Sequence, residues 1–330
     1  MSKRIAINGF GRIGRLTLRN LLLDSSVEVV AINDLTDTAT LAQLFKFDSS
    51  QGKFDGTVVA DGDKIVINGK SIQTTAIKDP SQLPWASLNV DTVLECTGIF
   101  LTREKANLHI AAGAKKVILS APPKDNDIPT IVRGINDSIL KNSTENIISN
   151  ASCTTNCLAP VVKIINDNWG IEKGFMSTIH AYTSDQRIQD APHSDWRRAR
   201  TAAVNIIPTS TGAAKALKTV IPEIGNKISA SSLRVPVSSG SVVELVCLLE
   251  KETTLADVNA AFAAAAEGYL KGILEYSTDE LVSTDIIGNK YSSIFDSKLT
   301  QLHDGLLKVT SWYDNEAGYS ARMAELAAQF

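Results

Sequence analysis

A cysteine set among hydroxyl and amide side chains, Ser152-Cys153-Thr154-Thr155-Asn156-Cys157, is the stretch of this chain best suited to covalent chemistry. It follows an apolar, strand-like run (Ile147, Ile148) and precedes a helical pattern through Leu158, Val161, Val162, Ile164 and Ile165. A helix start offers unpaired backbone N–H groups and the positive end of the helix dipole, which favour thiolate over thiol. The same N–H groups can receive an anion or a developing oxyanion. Taken alone, the segment reads equally well as a helix cap with a buried cysteine. Cys157 shares a helix face with Cys153, but no second Cys or His pair stands at ligand spacing. The four histidines (His109, His180, His193, His303) are scattered, so no metal site is expected.

Two further sets of residues could complete the chemistry. Gly9-Phe10-Gly11-Arg12-Ile13-Gly14 fits G-x-G-x-x-G, follows the strand-like Ile5-Ala6-Ile7, and opens a helical pattern with Ile13, Leu16, Leu21 and Leu22 on one side. The next strand-like run, through Val27, Val29, Val30 and Ile32, ends at Asn33-Asp34, where the dinucleotide fingerprint places an acidic residue. In that fingerprint Gly9 makes the tight turn, Gly11 lets the backbone approach a pyrophosphate, and Gly14 lets helix and sheet pack closely. A glycine-rich turn without a ligand is the alternative. Asp34 suits both ribose hydroxyls and repels a 2′-phosphate, and no Arg or Lys follows in Leu35-Thr36-Asp37, so NAD is favoured over NADP. NAD and a reactive cysteine together suggest oxidation of an aldehyde through a thioester. That scheme needs a base. His180 ends the strand-like run Gly174-Phe175-Met176-Ser177-Thr178-Ile179, although a lone histidine is more often a core or surface residue.

The elements that must position these residues fall into two halves, as expected when 330 residues exceed one typical core. The opening strand–helix–strand pattern is a βαβ unit of a parallel sheet. Thr92-Val93-Leu94, Val117-Ile118-Leu119 and Thr130-Ile131-Val132 read as further strands, and Thr102 to Ala112 as a helix closed by Gly113. A hairpin-like insert lies between, with Val58-Val59 and Ile65-Val66-Ile67 joined by Asp61-Gly62-Asp63 and followed by the Asn68-Gly69 turn. After about residue 150 long strand-like runs appear: Phe175 to Tyr182, Ile228 to Val237, Ser241 to Leu249 and Leu306 to Tyr313. Helical patterns at Ala213 to Val220 and Leu255 to Leu270 interleave with them. The expected class is α/β: a Rossmann-type parallel-sheet domain over 1–150, joined by a C-terminal helix at 316–330, plus an α+β catalytic domain over 151–315 with a mostly antiparallel sheet. Pro160 removes one backbone hydrogen bond from the helix after Ser152, and a local kink is expected there.

Bulk properties exclude several classes. Hydrophobic content of 44%, charged content of 21% and a net charge of −3 describe a globular chain with no general attraction to nucleic acid. No stretch is apolar enough to span a bilayer, and Met1-Ser2-Lys3-Arg4 runs straight into a strand pattern, leaving no room for a signal segment. Four cysteines (Cys96, Cys153, Cys157, Cys247) lack the density of a disulfide framework, so reduced thiols and a cytoplasmic location are expected.

Several separated motifs, in order, carry a resemblance. They are Ile7-Asn8-Gly9-Phe10-Gly11-Arg12-Ile13-Gly14-Arg15, the Cys153 hexapeptide, His180-Ala181-Tyr182-Thr183-Ser184-Asp185-Gln186, and Arg197-Arg198-Ala199-Arg200. Further on come Pro208-Thr209-Ser210-Thr211-Gly212-Ala213-Ala214, Leu233-Arg234-Val235-Pro236 and Trp312-Tyr313-Asp314-Asn315-Glu316. Over essentially its whole length the chain resembles the phosphorylating, NAD-dependent glyceraldehyde-3-phosphate dehydrogenases. The resemblance implies oxidative phosphorylation of glyceraldehyde 3-phosphate with NAD and inorganic phosphate, in a homotetramer. It implies Cys153 as nucleophile and His180 as acid/base. For the two phosphates it implies Ser152, Thr154, Thr183, Arg198, Thr211, Gly212 and Arg234. For the cofactor it implies Gly9, Gly11, Arg12, Ile13, Gly14, Asp34, Lys78 and Ser120, with Asn315 on the nicotinamide carboxamide. Leu35 and Pro192 stand where NAD-preferring members keep apolar residues.

Gln51 and Trp196 depart from the commoner histidine and leucine, away from the implied chemistry. Three alternatives share some of these features. An erythrose-4-phosphate dehydrogenase shares Cys153 and the fold, but tends to differ at Asp34 and around Tyr182-Thr183. An aspartate-semialdehyde dehydrogenase carries another cysteine motif. A catalytically idle NAD- or RNA-binding scaffold predicts a damaged Cys/His pair. Arg197, Arg198 and Arg200 lack the interleaved aromatics of a nucleic-acid surface, and neither nucleic acid nor membrane is required as a partner.

Overall fold

The computed structural model describes residues 2–330. Two compact units divide the chain: one takes residues up to Ile131 with Ile139–Ala151 and Ser320–Phe330, the other Val132–Ser138 with Ser152–Tyr319. A single cut at residue 150 is therefore too simple. Val132–Ser138 belongs to the second unit because Gly134, at φ +77°, lies so close to Leu270 and Ile273 that a Cβ there would meet Ile273 Cδ1 at 2.7 Å.

In the first unit β1 (Lys3–Asn8), α1 (Arg12–Leu21), β2 (Val27–Asn33) and α2 (Thr38–Lys46) come first. Next are β3 (Val58–Asp61), β4 (Lys64–Ile67), β5 (Lys70–Thr75), β6 (Thr92–Glu95), α3 (Arg103–Ala111), β7 (Lys116–Leu119) and β8 (Ile147–Ser149). They form one eight-stranded sheet in the order β3-β4-β5-β2-β1-β6-β7-β8, parallel from β5 to β8 and antiparallel through β3, β4 and β5. The hairpin expected as an insert is thus continuous with the main sheet, because β5 pairs in parallel with β2. Asn68 and Gly69 both have positive φ, the turn that suits a two-residue hairpin loop.

β1 is buried on both faces, as a central parallel strand should be. Its alternation splits the core: Ile5 and Ile7 pack with Phe45, Leu94 and Ile118 on one face, Ala6 with Trp85, Val93 and Val117 on the other. The strand expected at Thr130-Ile131-Val132 shrinks to one bridge, Thr130 to Ser149. The chain turns instead, the Val132 N–H bonding Asn136 Oδ1 at 2.8 Å.

The second unit begins with α4 (Cys153–Trp169), which continues through Pro160, and β9 (Ile171–Ala181). β10 (Ile207–Thr209), α5 (Ala213–Val220), β11 (Ile228–Val235), β12 (Ser241–Leu249) and α6 (Leu255–Glu267) follow. β13 (Leu274–Ser277), β14 (Ser293–Asp296), β15 (Gln301–His303) and β16 (Leu306–Tyr313) complete its sheet, ordered β10-β11-β9-β12-β16-β14-β13 with β15 on β16. The sheet is mixed, since β11–β9 and β13–β14 are parallel pairs among antiparallel ones. Phe262 of α6 stacks on Phe295 of β14 at 3.7 Å between ring centroids.

The last helix, α7 (Ala317–Gln329), places Met323, Leu326 and Ala327 in the Ile5/Ile7 core of the first unit. Lys3 Nζ donates to the Ala327 and Ala328 carbonyls at 3.2 and 2.8 Å, a cation on the negative helix end.

Candidate active site

At the start of α4, Ser152 Oγ accepts the Thr155 N–H at 3.1 Å and caps the helix. Cys153 is then the first helical residue, with its Sγ 3.4 Å from His180 Nε2. His180, next to last in β9, is buried, and its Nδ1 lies 2.6 Å from the Ala181 carbonyl oxygen. The carbonyl only accepts, whereas Arg234 Nη1, 2.8 Å from the same Nδ1, only donates, so these two contacts call for opposite tautomers; with the proton on Nδ1, Nε2 keeps a lone pair toward the thiol. Arg234 stands opposite His180 in the β11–β9 register, with Nη1 2.8 Å from Nδ1 and 3.0 Å from the same carbonyl.

Burial sets the resting protonation. It pushes the Cys153 thiol up, against the pull of the Arg234 charge and of the Thr154 and Cys153 N–H groups. Desolvation thus opposes the thiolate that the helix start favours. Burial, then the Arg234 charge, pushes His180 down to about 3, so its imidazole is neutral at pH 7. Thiol and neutral base face each other, ready for a proton transfer that need not precede substrate.

Arg234 is half-buried, its Nε has no hydrogen-bond partner, and no carboxylate pairs with it among the described residues. A half-buried guanidinium without a carboxylate partner is a natural anion receptor. Arg198 is placed differently. Its Nη1 meets Asp185 Oδ2 at 2.5 Å and its Nε meets Thr209 Oγ1 at 2.9 Å, so it comes with a carboxylate already bound. Arg200 is likewise paired with Asp190 at 2.7 Å. Thr211 and Gly212 precede α5, where Thr211 Oγ1 accepts the Ala213 N–H at 3.2 Å. Thr183 lies just past β9, its N–H on Gln186 Oε1 at 3.3 Å.

Residue types alone did not single out Tyr313. Its buried hydroxyl lies 2.9 Å from both Thr154 Oγ1 and Thr178 Oγ1, and its ring stands edge-on to His180. Thr154, expected at a phosphate, thus spends its hydroxyl on Tyr313. Cys157 is fully buried, with Sγ 3.6 Å from Ser293 Oγ, and packs as a neighbour.

In the first unit, Asn8, Gly9, Gly11, Asp34, Leu35, Lys78, Cys96 and Thr97 line part of a cleft of about 780 Å³. It opens at the carboxyl end of β1, where the strand order reverses between β2 and β6, the usual ligand position in such sheets. A Cβ on Gly14 would sit 2.3 Å from the Gly9 carbonyl oxygen, and one on Gly9 2.7 Å from the Thr97 nitrogen. Gly11 differs: a Cβ there meets no protein atom within 4 Å, and α1 has no side-chain cap. That leaves an open cradle at a helix N-terminus, fit for a pyrophosphate. Asp34 takes the Phe10 and Thr36 N–H groups at 2.7 and 3.0 Å and remains at the cleft. The residues present fit NAD.

Arg12 forms an ion pair with Asp48, and Ser120 ends β7 with its N–H on the Glu95 carbonyl at 2.9 Å. Below the cleft, Glu95 is fully buried and receives Asn8 Nδ2 at 2.6 Å, the Thr97 N–H at 2.8 Å and His109 Nε2 at 3.0 Å. Trp85 Nε1 donates to His109 Nδ1 at 3.1 Å, which fixes the tautomer that donates to Glu95.

Comparison with known proteins agrees with this arrangement. Residues 3–103 match the family model described as glyceraldehyde 3-phosphate dehydrogenase, NAD binding domain, and residues 152–315 match the C-terminal domain of the same family. The chain is 55% identical over 328 residues to the glyceraldehyde-3-phosphate dehydrogenase of Priestia megaterium, covering 99% of this chain and 98% of that one. It is 53% identical to glyceraldehyde-3-phosphate dehydrogenase 1 of Bacillus subtilis and 54% to the Geobacillus stearothermophilus enzyme, each over 329 residues, 99% of this chain and 98% of the relative. With a dinucleotide cleft in one unit and a Cys–His pair beside an unpaired arginine in the other, the chain belongs to the glyceraldehyde-3-phosphate dehydrogenase family.

Proposed function

We propose that this chain oxidises glyceraldehyde 3-phosphate to 1,3-bisphosphoglycerate with NAD and inorganic phosphate. The observation that carries this reading is the 3.4 Å approach of Cys153 Sγ to His180 Nε2 beside Arg234. As the sulfur attacks the aldehyde carbon, His180 Nε2 takes the thiol proton, and the Cys153 N–H with the new Nε2–H receives the developing oxyanion. Nε2 gives that proton to the oxyanion, forming the thiohemiacetal hydroxyl, and takes it back as the carbon loses hydride, leaving a thioester on Cys153. NAD, when bound, supplies the two-electron acceptor for that hydride. A phosphate oxygen then attacks the thioester carbon, and the C–S bond breaks to release the acyl phosphate and regenerate Cys153.

Arg234 is the principal anion residue in this reading, with Ser152, Thr154, Thr183, Thr211 and Gly212 supplying hydroxyl or backbone donors. Arg198 is a weaker candidate, since a phosphate must displace Asp185 from it. Gly9, Gly11, Arg12, Ile13, Gly14, Asp34, Lys78 and Ser120 would hold NAD, with Asn315 on the carboxamide. Replacement of Cys153 by serine is expected to abolish acyl transfer, by at least about a thousandfold, while NAD binding survives. Near-normal turnover in Cys153→Ser would overturn the assignment.

A homotetramer fits the exposed apolar side chains of the segment after β9. Ile188 is 86% and Trp196 89% exposed, with Val204 and Ile206 nearby in sequence and also exposed, which suggests a face covered by another copy. No helix among the described residues is long and apolar enough to cross a membrane, and the four cysteines are free, in keeping with a cytoplasmic enzyme.

A further inference from the structure

Two serines flanking Gly240 grip two consecutive residues after β16. Ser239 Oγ donates to Asp314 Oδ1 at 2.8 Å, and Ser241 Oγ lies 3.0 Å from Asn315 Oδ1. Asp314 is further fixed by the N–H groups of Glu316, Ala317 and Gly288 at 2.8, 3.0 and 2.8 Å. Gly240 has φ +89°, and a Cβ on it would lie 2.2 Å from the Ser283 carbonyl oxygen, so the turn between the serines admits glycine alone.

The protons of this cluster can be assigned one by one. Ser241 Oγ also receives the Ala181 N–H at 3.1 Å, beyond the last β9–β12 pairing of Val242 with Ile179. An amide N–H only donates, so the hydroxyl accepts there. Ser241 is buried, and among the described residues its side chain has just these two partners. Its one proton therefore goes to Asn315, and the atom receiving it is Oδ1. Asn315 Nδ2 makes no hydrogen bond to the described residues and keeps both protons free.

We propose that Ser241 is a positioning residue that fixes the sense of the Asn315 amide, so that the cofactor's carboxamide meets an NH₂ donor through its carbonyl oxygen. This rests on the reading that Asn315 holds the carboxamide. The group recognised is then the carbonyl of the cofactor, and its own NH₂ contributes little to binding.

The 3-acetylpyridine analogue of NAD tests this directly, because a methyl replaces the carboxamide NH₂ while the carbonyl stays. Dissociation constants of NAD and of the analogue are measured by equilibrium fluorescence for the wild-type chain and for Ser241→Ala, Asn315→Asp and Asn315→Ala. The wild type is expected to bind the two with similar affinity. In Ser241→Ala the amide can turn and still serve NAD but not the analogue, so discrimination should widen by about three- to tenfold, the worth of one neutral hydrogen bond. In Asn315→Asp, which lacks the NH₂, the same preference for NAD should appear. A general loosening of the fold weakens both dinucleotides alike and leaves their ratio unmoved. A wild-type ratio in both Ser241→Ala and Asn315→Asp, while Asn315→Ala weakens both ligands, overturns the role of Ser241. Unchanged NAD affinity in Asn315→Ala overturns instead the reading that Asn315 touches the carboxamide.

Discussion

Cys153 and His180 owe their resting state to competing terms that no motif displays. Helix-start N–H groups and Arg234 pull the thiol toward ionisation, burial pushes it the other way, and burial is larger. Arg234 acts on both partners, helping the thiolate and opposing the imidazolium. Removing that charge as Arg234→Gln should raise both groups, so the pH profile of Cys153 alkylation by iodoacetamide should move to higher pH. A midpoint unmoved or shifted downward would contradict the electrostatic role. The same variant should weaken use of both phosphates, and a loss confined to NAD affinity would count against Arg234 as an anion receptor. Residue types marked Cys153 as a candidate, while His180 and Arg234 became legible only through the family resemblance. Tyr313 was not legible, since a tyrosine at the end of an apolar strand looks like core until Thr154 and Thr178 are seen at its hydroxyl.

Elements place these groups, and the glycines of the first turn separate folding from binding. Gly14→Ala forces a Cβ within 2.3 Å of the Gly9 carbonyl, against backbone that cannot give way, and should cost about 1–3 kcal/mol by overpacking. Gly11→Ala meets only open space and should leave the apo chain's thermal midpoint near wild type while weakening NAD severalfold or more. Calorimetry and NAD titration on both variants check the pair; equal effects on stability would refute the cradle. Much of this element level could be read in advance: the strand through Ile5, Ala6 and Ile7, the helix α3 closed by Gly113, and the bounds of β12 and β16. The parallel β11–β9 pairing could not. Strand direction depends on how the chain returns after α5, and β11 has the same residue pattern whether it runs with or against β9.

At the scale of the molecule, stability should depend on pH through the buried groups. His180 binds no proton in the folded state until about pH 3, while the unfolded chain binds one below about pH 6.5. The unfolded state therefore gains protons first on acidification, and stability falls from pH 6.5 downward, by about 2 kcal/mol at pH 5 for this one residue. Cys157 and Cys247, pushed up to about 12 by burial, act in the opposite range: unfolding releases their protons above about pH 8.5, so stability falls as pH rises. Chemical denaturation of His180→Gln should show a shallower slope between pH 6.5 and 4.5 than wild type, and an identical slope would refute the assignment. Oligomerisation is tested separately. Trp196→Asp should lower the assembly size in analytical ultracentrifugation if that exposed ring is covered by another copy.

Some of this protein follows from local rules that need no tertiary contact. Glycine spacing with Asp34 determined the dinucleotide turn, because only glycine permits those backbone approaches and a carboxylate opposes a 2′-phosphate. Residue order gave the two-part plan and, through the family resemblance, Cys153 and His180 as candidates for nucleophile and base. Tertiary structure decided what depends on through-space neighbours: that burial opposes both the Cys153 thiolate and the His180 imidazolium, that Arg198 is already paired with a carboxylate while Arg234 is not, and which end of Asn315 is free. Burial and hydrogen-bond satisfaction are properties of the packed chain. Residues 27, 54 and 74 positions apart, as in Cys153–His180, His180–Arg234 and Ser241–Asn315, acquire them only when the sheet brings them together.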